Sequence, residues 1–335
     1  MNKKINIGLA VLFLLIAIYY LGPKPKDPKI SSELYEVPIH PADLDLYLAN
    51  KEKQSKVKPG NEARIIWADS VPQKTKYTVL YLHGFGACSY EGQPINMDFA
   101  KRYHCNLVLS RLAFQGLDTS NAMYFLTAEN LWNSALEAYS VAKQTGDSVI
   151  IMGTSTGCTL GLMLAARFPE IKGLIQMSPN IRLHDPLSFL LNNPWGLQIA
   201  KLVIGSDSFH YQDDVEFGKY WYLNYRLEPV VELENLLETQ MTEETFSNVH
   251  QPCISLYYYK DEENQDNMVD AKKTIWMHDQ LATENHLKRL VNVPDAGDHI
   301  IGNPIRSKNV KKVFAEICRF SEEILGLKAE TQKSE

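Results

Sequence analysis

The chain has 335 residues, 45% of them hydrophobic, enough to build a large core as one big domain or two. A formal net charge of −6 and the lack of any basic patch argue against nucleic acid as a partner. Five cysteines (Cys88, Cys105, Cys158, Cys253, Cys318) are dispersed without a Cys-x-x-Cys pair, a poor disulfide framework and a poor zinc site.

In chain order, the first feature is the charge-free run from Ile5 to Leu21, about 17 residues, near the lower limit for spanning a bilayer. Lys3 and Lys4 precede it; Lys24, Lys26 and Lys29 follow. A cleaved signal peptide is disfavoured, because Ile18-Tyr19-Tyr20-Leu21-Gly22-Pro23 offers no small-x-small cleavage site. Tyr19 and Tyr20 suit an interfacial belt. Residues 1–21 therefore read as a retained, single-pass transmembrane anchor, which makes the membrane a partner. Lysines on both flanks leave its orientation open, with an extracytoplasmic position for the rest of the chain as one placement. Residues 22–33, rich in Pro and Lys, read as a linker.

A partly helical stretch (Pro41–Lys56) leads to a strand at Ala63–Ala68. From there strands and helices alternate: strand Tyr77–Leu82, helix Pro94–Tyr103, strand Asn106–Leu112, and helix Glu129–Gln144. That last helix carries Leu131, Trp132, Ala135, Leu136, Tyr139 and Ala142 at helical spacing. Strands at Ser148–Met152 and Gly173–Met177 follow, separated by another helix. The spacing predicts an α/β class fold, a mostly parallel central sheet with helices on both faces. Residues 34–179 and 249–326 form this core. Between them, residues 180–248 are aromatic and helical without a strong strand, and read as a lid inserted over the sheet's carboxyl edge. The alternation resumes with strand Cys253–Tyr259, helix Val269–Leu281, strand Lys288–Val293 and helix Lys308–Leu325. Residues 327–335 form a polar tail.

Chemistry concentrates at strand ends. Val149-Ile150-Ile151-Met152-Gly153-Thr154-Ser155-Thr156-Gly157 is an apolar strand entering a Gly-x-Ser-x-Gly turn centred on Ser155. Such a turn lifts one hydroxyl clear and aims free helix N–H groups at the same place. Gly153 and Gly157 stand where a side chain would strike neighbouring backbone. Cys158, just beyond, is expected to pack without reacting. A serine nucleophile needs a base, and the base an orienting acid. His299, in Asp295-Ala-Gly-Asp-His directly after a strand, fits the base. The acid should follow the strand at Cys253–Tyr259, where Asp261, Glu262, Glu263, Asp266 and Asp270 compete. Their spacing does not match a calcium loop. Asp266 is favoured, because the apolar residue three positions on can open the next helix; Asp261, nearer the strand end, is the alternative. Oxyanion donors are expected from the backbone N–H groups of Phe85 and Thr156. His83, at a strand end before glycine, is expected to hold the loop by hydrogen bonds.

The order Leu82-His83-Gly84-Phe85-Gly86, Gly153-Thr154-Ser155-Thr156-Gly157, an acid after a strand, and Gly297-Asp298-His299 resembles the α/β-hydrolase family over roughly residues 60–325. Within it the chain is similar to serine esterases and monoacylglycerol-lipase-like lysophospholipases. That branch often reads Arg-Leu-x-Gly-His-Gly; here Arg111-Leu112-Ala113-Phe114-Gln115-Gly116 keeps Arg-Leu and the final Gly but lacks the histidine. The resemblance implies a serine enzyme with the triad Ser155, Asp266, His299, a lid and no cofactor. It would cleave carboxylic esters, with lipid or lipophilic acyl esters as candidate substrates. Two further readings share these motifs: an inactive hydrolase-fold binding module, and an acyltransferase using the same triad.

Overall fold

The computed structural model describes residues 3–212 and 215–330. Among them the strands are β1 (Arg64–Ile66), β2 (Thr75–Leu82), β3 (Asn106–Leu109), β4 (Gly146–Thr154), β5 (Gly173–Met177), β6 (Ser208–His210), β7 (Asn224–Arg226), β8 (Cys253–Tyr257) and β9 (Lys288–Asn292). Seven build one sheet in the order β1-β3-β2-β4-β5-β8-β9, while β6 and β7 pair separately. Only β1 runs antiparallel to its neighbour in the large sheet. The α-helices are α1 (Lys3–Tyr20), α2 (Pro41–Glu52), α3 (Ile95–Arg102), α4 (Ala128–Thr145), α5 (Thr156–Ala165), α6 (Gly196–Ile204), α7 (Val215–Tyr220), α8 (Glu228–Gln240), α9 (Glu243–Ser247), α10 (Ala271–Gln280) and α11 (Val310–Glu323).

Side-chain alternation explains why helices cover both faces. Successive strand residues point to opposite sides. Leu80, Leu82, Val149 and Ile151 join the core beneath α4 and α5; Val79, Tyr81, Ile150 and Met152 join the core beneath α3 and α11. The central strands therefore read as continuous apolar runs, as a sheet buried on both faces requires. α4 starts with a capping box, in which Thr127 Oγ1 accepts the Asn130 N–H and Asn130 Oδ1 accepts the Thr127 N–H.

Two features depart from the expected layout. Between β5 and β8, where no strong strand was expected, β6 and β7 form an antiparallel pair of three residues per strand, too short for a period-two pattern to register. At the N-terminus, no helix among the described residues is long and apolar enough to cross a membrane. This overturns the single-pass transmembrane anchor and the membrane-anchored localisation drawn from it. The charge-free run overstates the apolar helix, since Lys3, Lys4 and Asn6 occupy the first turn and α1 ends at Tyr20. The remaining helix from Ile7 is about 14 residues, roughly 21 Å long, against a hydrocarbon core of about 30 Å.

The segment after α1 lies along the molecule. Pro23 O accepts the Trp195 N–H at 2.8 Å, Lys26 O accepts Asn235 Nδ2 at 2.8 Å, and Ser31 O accepts Trp132 Nε1 at 2.8 Å. Of the tail expected at 327–335, residues from 331 on lie outside the described residues, and the Glu330 N–H donates to Arg102 O at 2.8 Å.

Candidate active site

β4 ends at Thr154, and the chain turns at Ser155 with φ 54° and ψ −121°, a region where a side chain is strained. Two glycines make the turn possible. A Cβ on Gly157 would collide with the carbonyl oxygen of Leu82, and one on Gly153 would lie 2.7 Å from the carbonyl carbon of Gly157. The Ser155 N–H donates to Met177 O at 3.0 Å, and the Ser155 carbonyl accepts the N–H groups of Cys158 (2.9 Å) and Asn180 (3.2 Å). The serine is thus pinned between β5 and α5. The Thr156 N–H belongs to the first turn of α5, where helix donors have no intrahelical acceptor. Cys158 is buried, and burial lifts its thiol well above the usual range, so it is not poised as a thiolate.

The loops after β8 and β9 bring two side chains together. His299 Nδ1 lies 2.6 Å from Asp266 Oδ2, and both residues are buried. The other Asp266 oxygen accepts the N–H groups of Met268 (2.9 Å) and Val269 (3.0 Å), so the carboxylate closes its own loop while facing the imidazole. The competing acids are engaged elsewhere. Asp261 accepts the Asn264 N–H at 2.8 Å in an exposed turn, Glu262 pairs with Lys272, and Asp270 caps α10. Glu263 is exposed. On the far side of His299, the Ser178 hydroxyl donates to its carbonyl at 2.6 Å, a support the sequence gives no sign of.

Burial disfavours the imidazolium of His299. The charge and hydrogen bond of Asp266 outweigh this, with smaller contributions from Glu91 and Asp298, and the net shift is upward from 6.5. His83 has another role. Its Nε2 accepts the Leu112 N–H at 3.1 Å, so its Nδ1–H donates to Gly84 O at 2.8 Å, and burial holds its pKa down to about 4. It is a neutral bracket beneath the loop.

In that loop the Phe85 N–H has no acceptor among the described residues, whereas both neighbouring amides are occupied. The Gly84 N–H donates to Glu91 Oε2 and the Gly86 N–H to Gln115 Oε1, each at 2.6 Å. Sequence reasoning did not single out Glu91. The departure at Gln115, where the resembling branch has histidine, was the available signal for the second.

Ser155, His299, Glu91 and Phe85 open into a cavity of about 450 Å³ between the sheet edge and residues 180–248. Phe209, Tyr211, Trp221 and Tyr225 line its outer side. Among the described residues no group of three His, Cys, Asp or Glu side chains is placed to hold a metal ion.

No protein-family model and no curated protein matches this sequence. Several solved structures match in shape. A metagenome-derived lipolytic enzyme aligns with TM-score 0.62 at 17% identity, covering 79% of this chain and 98% of that one. The monoacylglycerol lipase of Paleococcus ferrophilus aligns with TM-score 0.55 at 12% identity, over 79% and 99%. Est1E from Butyrivibrio proteoclasticus, in a structure with ferulic acid bound, aligns with TM-score 0.53 at 15% identity, over 79% and 95%. What chains so distant in sequence share with this one across most of its length is the α/β-hydrolase fold, and that is the fold of this protein.

Proposed function

We propose that the protein is a serine hydrolase that cleaves carboxylic esters through an acyl-enzyme on Ser155. The observation that carries this reading is that His299, paired with the buried Asp266, opens with the strained Ser155 into one cavity. Asp266 holds Nδ1, leaving Nε2 to take the Ser155 proton as Oγ attacks the ester carbonyl. The backbone N–H groups of Phe85 and Thr156 stabilise the resulting oxyanion, a contribution of about 3 kcal/mol per donor. Collapse expels the alcohol, which takes its proton from His299. Water then attacks the acyl-enzyme with His299 again as base, releasing the acid and restoring Ser155. Apolar rings around the cavity support lipophilic acyl groups as substrates.

The test is labelling by a fluorophosphonate probe together with hydrolysis of p-nitrophenyl esters of graded chain length. Wild-type protein should label once and turn over. Ser155→Ala should do neither, and His299→Ala should label far more slowly. Equal labelling of Ser155→Ala would refute the assignment.

A further inference from the structure

We propose that Glu91 and Gln115 are positioning residues that hold the oxyanion loop from both sides and leave the Phe85 N–H as its free donor. The proposal rests on the reading of Ser155 as the nucleophile. Glu91 takes the Gly84 N–H and Gln115 the Gly86 N–H, so the peptide plane between them has little freedom to rotate. Gly84 threads a narrow gap: a Cβ there would lie 2.9 Å from Glu91 Oε1 and 3.1 Å from the Ser155 Cβ. Glu91 therefore sets how far the loop stands from the nucleophile.

Packing alone does not account for either side chain. Glu91 is 3% exposed and Gln115 is fully buried. A buried carboxyl group opposes folding unless its oxygens are used, and an apolar side chain would fill the same space at lower cost. Among the described residues the Gln115 Nε2 has no hydrogen-bond partner, so the carbonyl oxygen is the polar atom of that side chain that the loop employs. This also gives a physical meaning to Gln115 standing where the resembling branch has histidine.

The same clamp reaches the segment between β5 and β8. Glu91 Oε1 accepts the Trp221 Nε1–H at 3.4 Å, the Tyr222 N–H donates to Gly86 O at 2.8 Å, and the Phe85 ring meets Tyr225 edge-on at 5.6 Å. The oxyanion loop is thus braced by the sheet side through Gln115 and by the inserted segment through Trp221, Tyr222 and Tyr225. A donor held rigidly before the reaction needs no reorganisation when charge develops, which is where such sites gain rate.

The test compares Glu91→Ala, Glu91→Gln and Gln115→Leu by steady-state hydrolysis of p-nitrophenyl butyrate and by amide hydrogen exchange of the resting protein. Glu91→Ala and Gln115→Leu should each lower kcat by about 10- to 100-fold, with KM within about threefold of wild type. Glu91→Gln keeps a carbonyl acceptor for the Gly84 N–H and should stay within about fivefold of wild type. Exchange should show protection of Gly84 lost in Glu91→Ala and of Gly86 lost in Gln115→Leu, each without the other. Unchanged kcat in both truncated variants, loss expressed only in KM, or Glu91→Gln as impaired as Glu91→Ala would overturn the proposal. If Glu91→Ala does not fold, Gln115→Leu and Glu91→Gln decide it by the same criteria. A wild-type protein that neither turns over ester nor labels at Ser155 would sink the hydrolase reading. The exchange data would still judge the clamp, since unaltered protection in the variants refutes it.

Discussion

His299 is surrounded by carboxyl groups, and their balance sets the pH at which it can accept a proton. Burial lowers its basicity, Asp266 more than restores it, and Glu91 and Asp298 add to the effect, so the imidazole titrates above 6.5. In the proposed hydrolysis only neutral imidazole can act as base. Activity should therefore rise with pH through a midpoint above 6.5 and level off beyond it. Asp266→Asn removes the largest upward influence, so its midpoint should move down while its plateau falls by about 10³- to 10⁴-fold. A kcat/KM profile from pH 5 to 9 checks both; a wild-type midpoint at or below 6.5 would contradict the assignment. Glu91, pushed up to about 7 by burial, ionises in the same window, and the profile of Glu91→Gln separates the two groups. Ser155 and His299 stand out in the sequence as candidates because each follows a strand with a glycine two residues away. Asp266 is favoured over Asp261 in the sequence because the apolar residue three positions on can begin the next helix; α10 starts only at Ala271, and Val269 meets Asp266 through its backbone N–H instead. Glu91 and Gln115 were not legible as a pair. Their shared contact exists only once the residues 83–88 loop has folded between them.

At the scale of elements, the turn from β4 into α5 is where geometry is least forgiving. α5 starts so close to β2 that a Cβ at Gly157 would overlap the carbonyl oxygen of Leu82, which belongs to the sheet backbone and cannot rotate away. Gly157→Ala should cost about 3 kcal/mol or more, a fall in Tm of at least about 4 °C. At Gly161, one turn on, the nearest atom to an added Cβ is a side-chain methyl of Ile151 at 3.1 Å, which can shift. Gly161→Ala should stay within about 1 kcal/mol of wild type, since alanine also favours the helix. Thermal melts of the two variants test this, and comparable losses would show that the backbone approach is not the limiting contact. The same elements explain what the sequence reveals. β2, β4 and β5 are apolar on both faces and bounded by turn residues, so their runs stand out. β6 and β7 are short and outside the main sheet, and only their pairing with each other defines them as strands.

For the molecule as a whole, residues 22–37 tie parts that the sequence alone leaves separate. Their backbone carbonyls take the Asn235 amide in α8 and the indole of Trp132 in α4, and the Tyr35 N–H donates to Ser140 Oγ in α4. Ile30, Leu34 and Val37 pack on the core. Asn235 and Trp132 are both fully buried, so removing the strap would strand two polar groups, each at a cost of about 1–3 kcal/mol. Removing residues 1–21 spares these contacts. It loses the bond from Trp195 Nε1 to Ile18 O, at a site where water can replace it. A protein starting at residue 22 should therefore melt within about 2 °C of the full chain and keep its kcat/KM. One starting at residue 39 should melt about 3–8 °C lower. Because Val230 and Leu233 of α8 line the cavity, the shorter form should also bind ester more weakly, raising KM more than it lowers kcat. Equal melting of the two truncations would mean that the strap only lies on the surface, and a loss confined to kcat would mean that it acts on the oxyanion loop instead of the cavity wall.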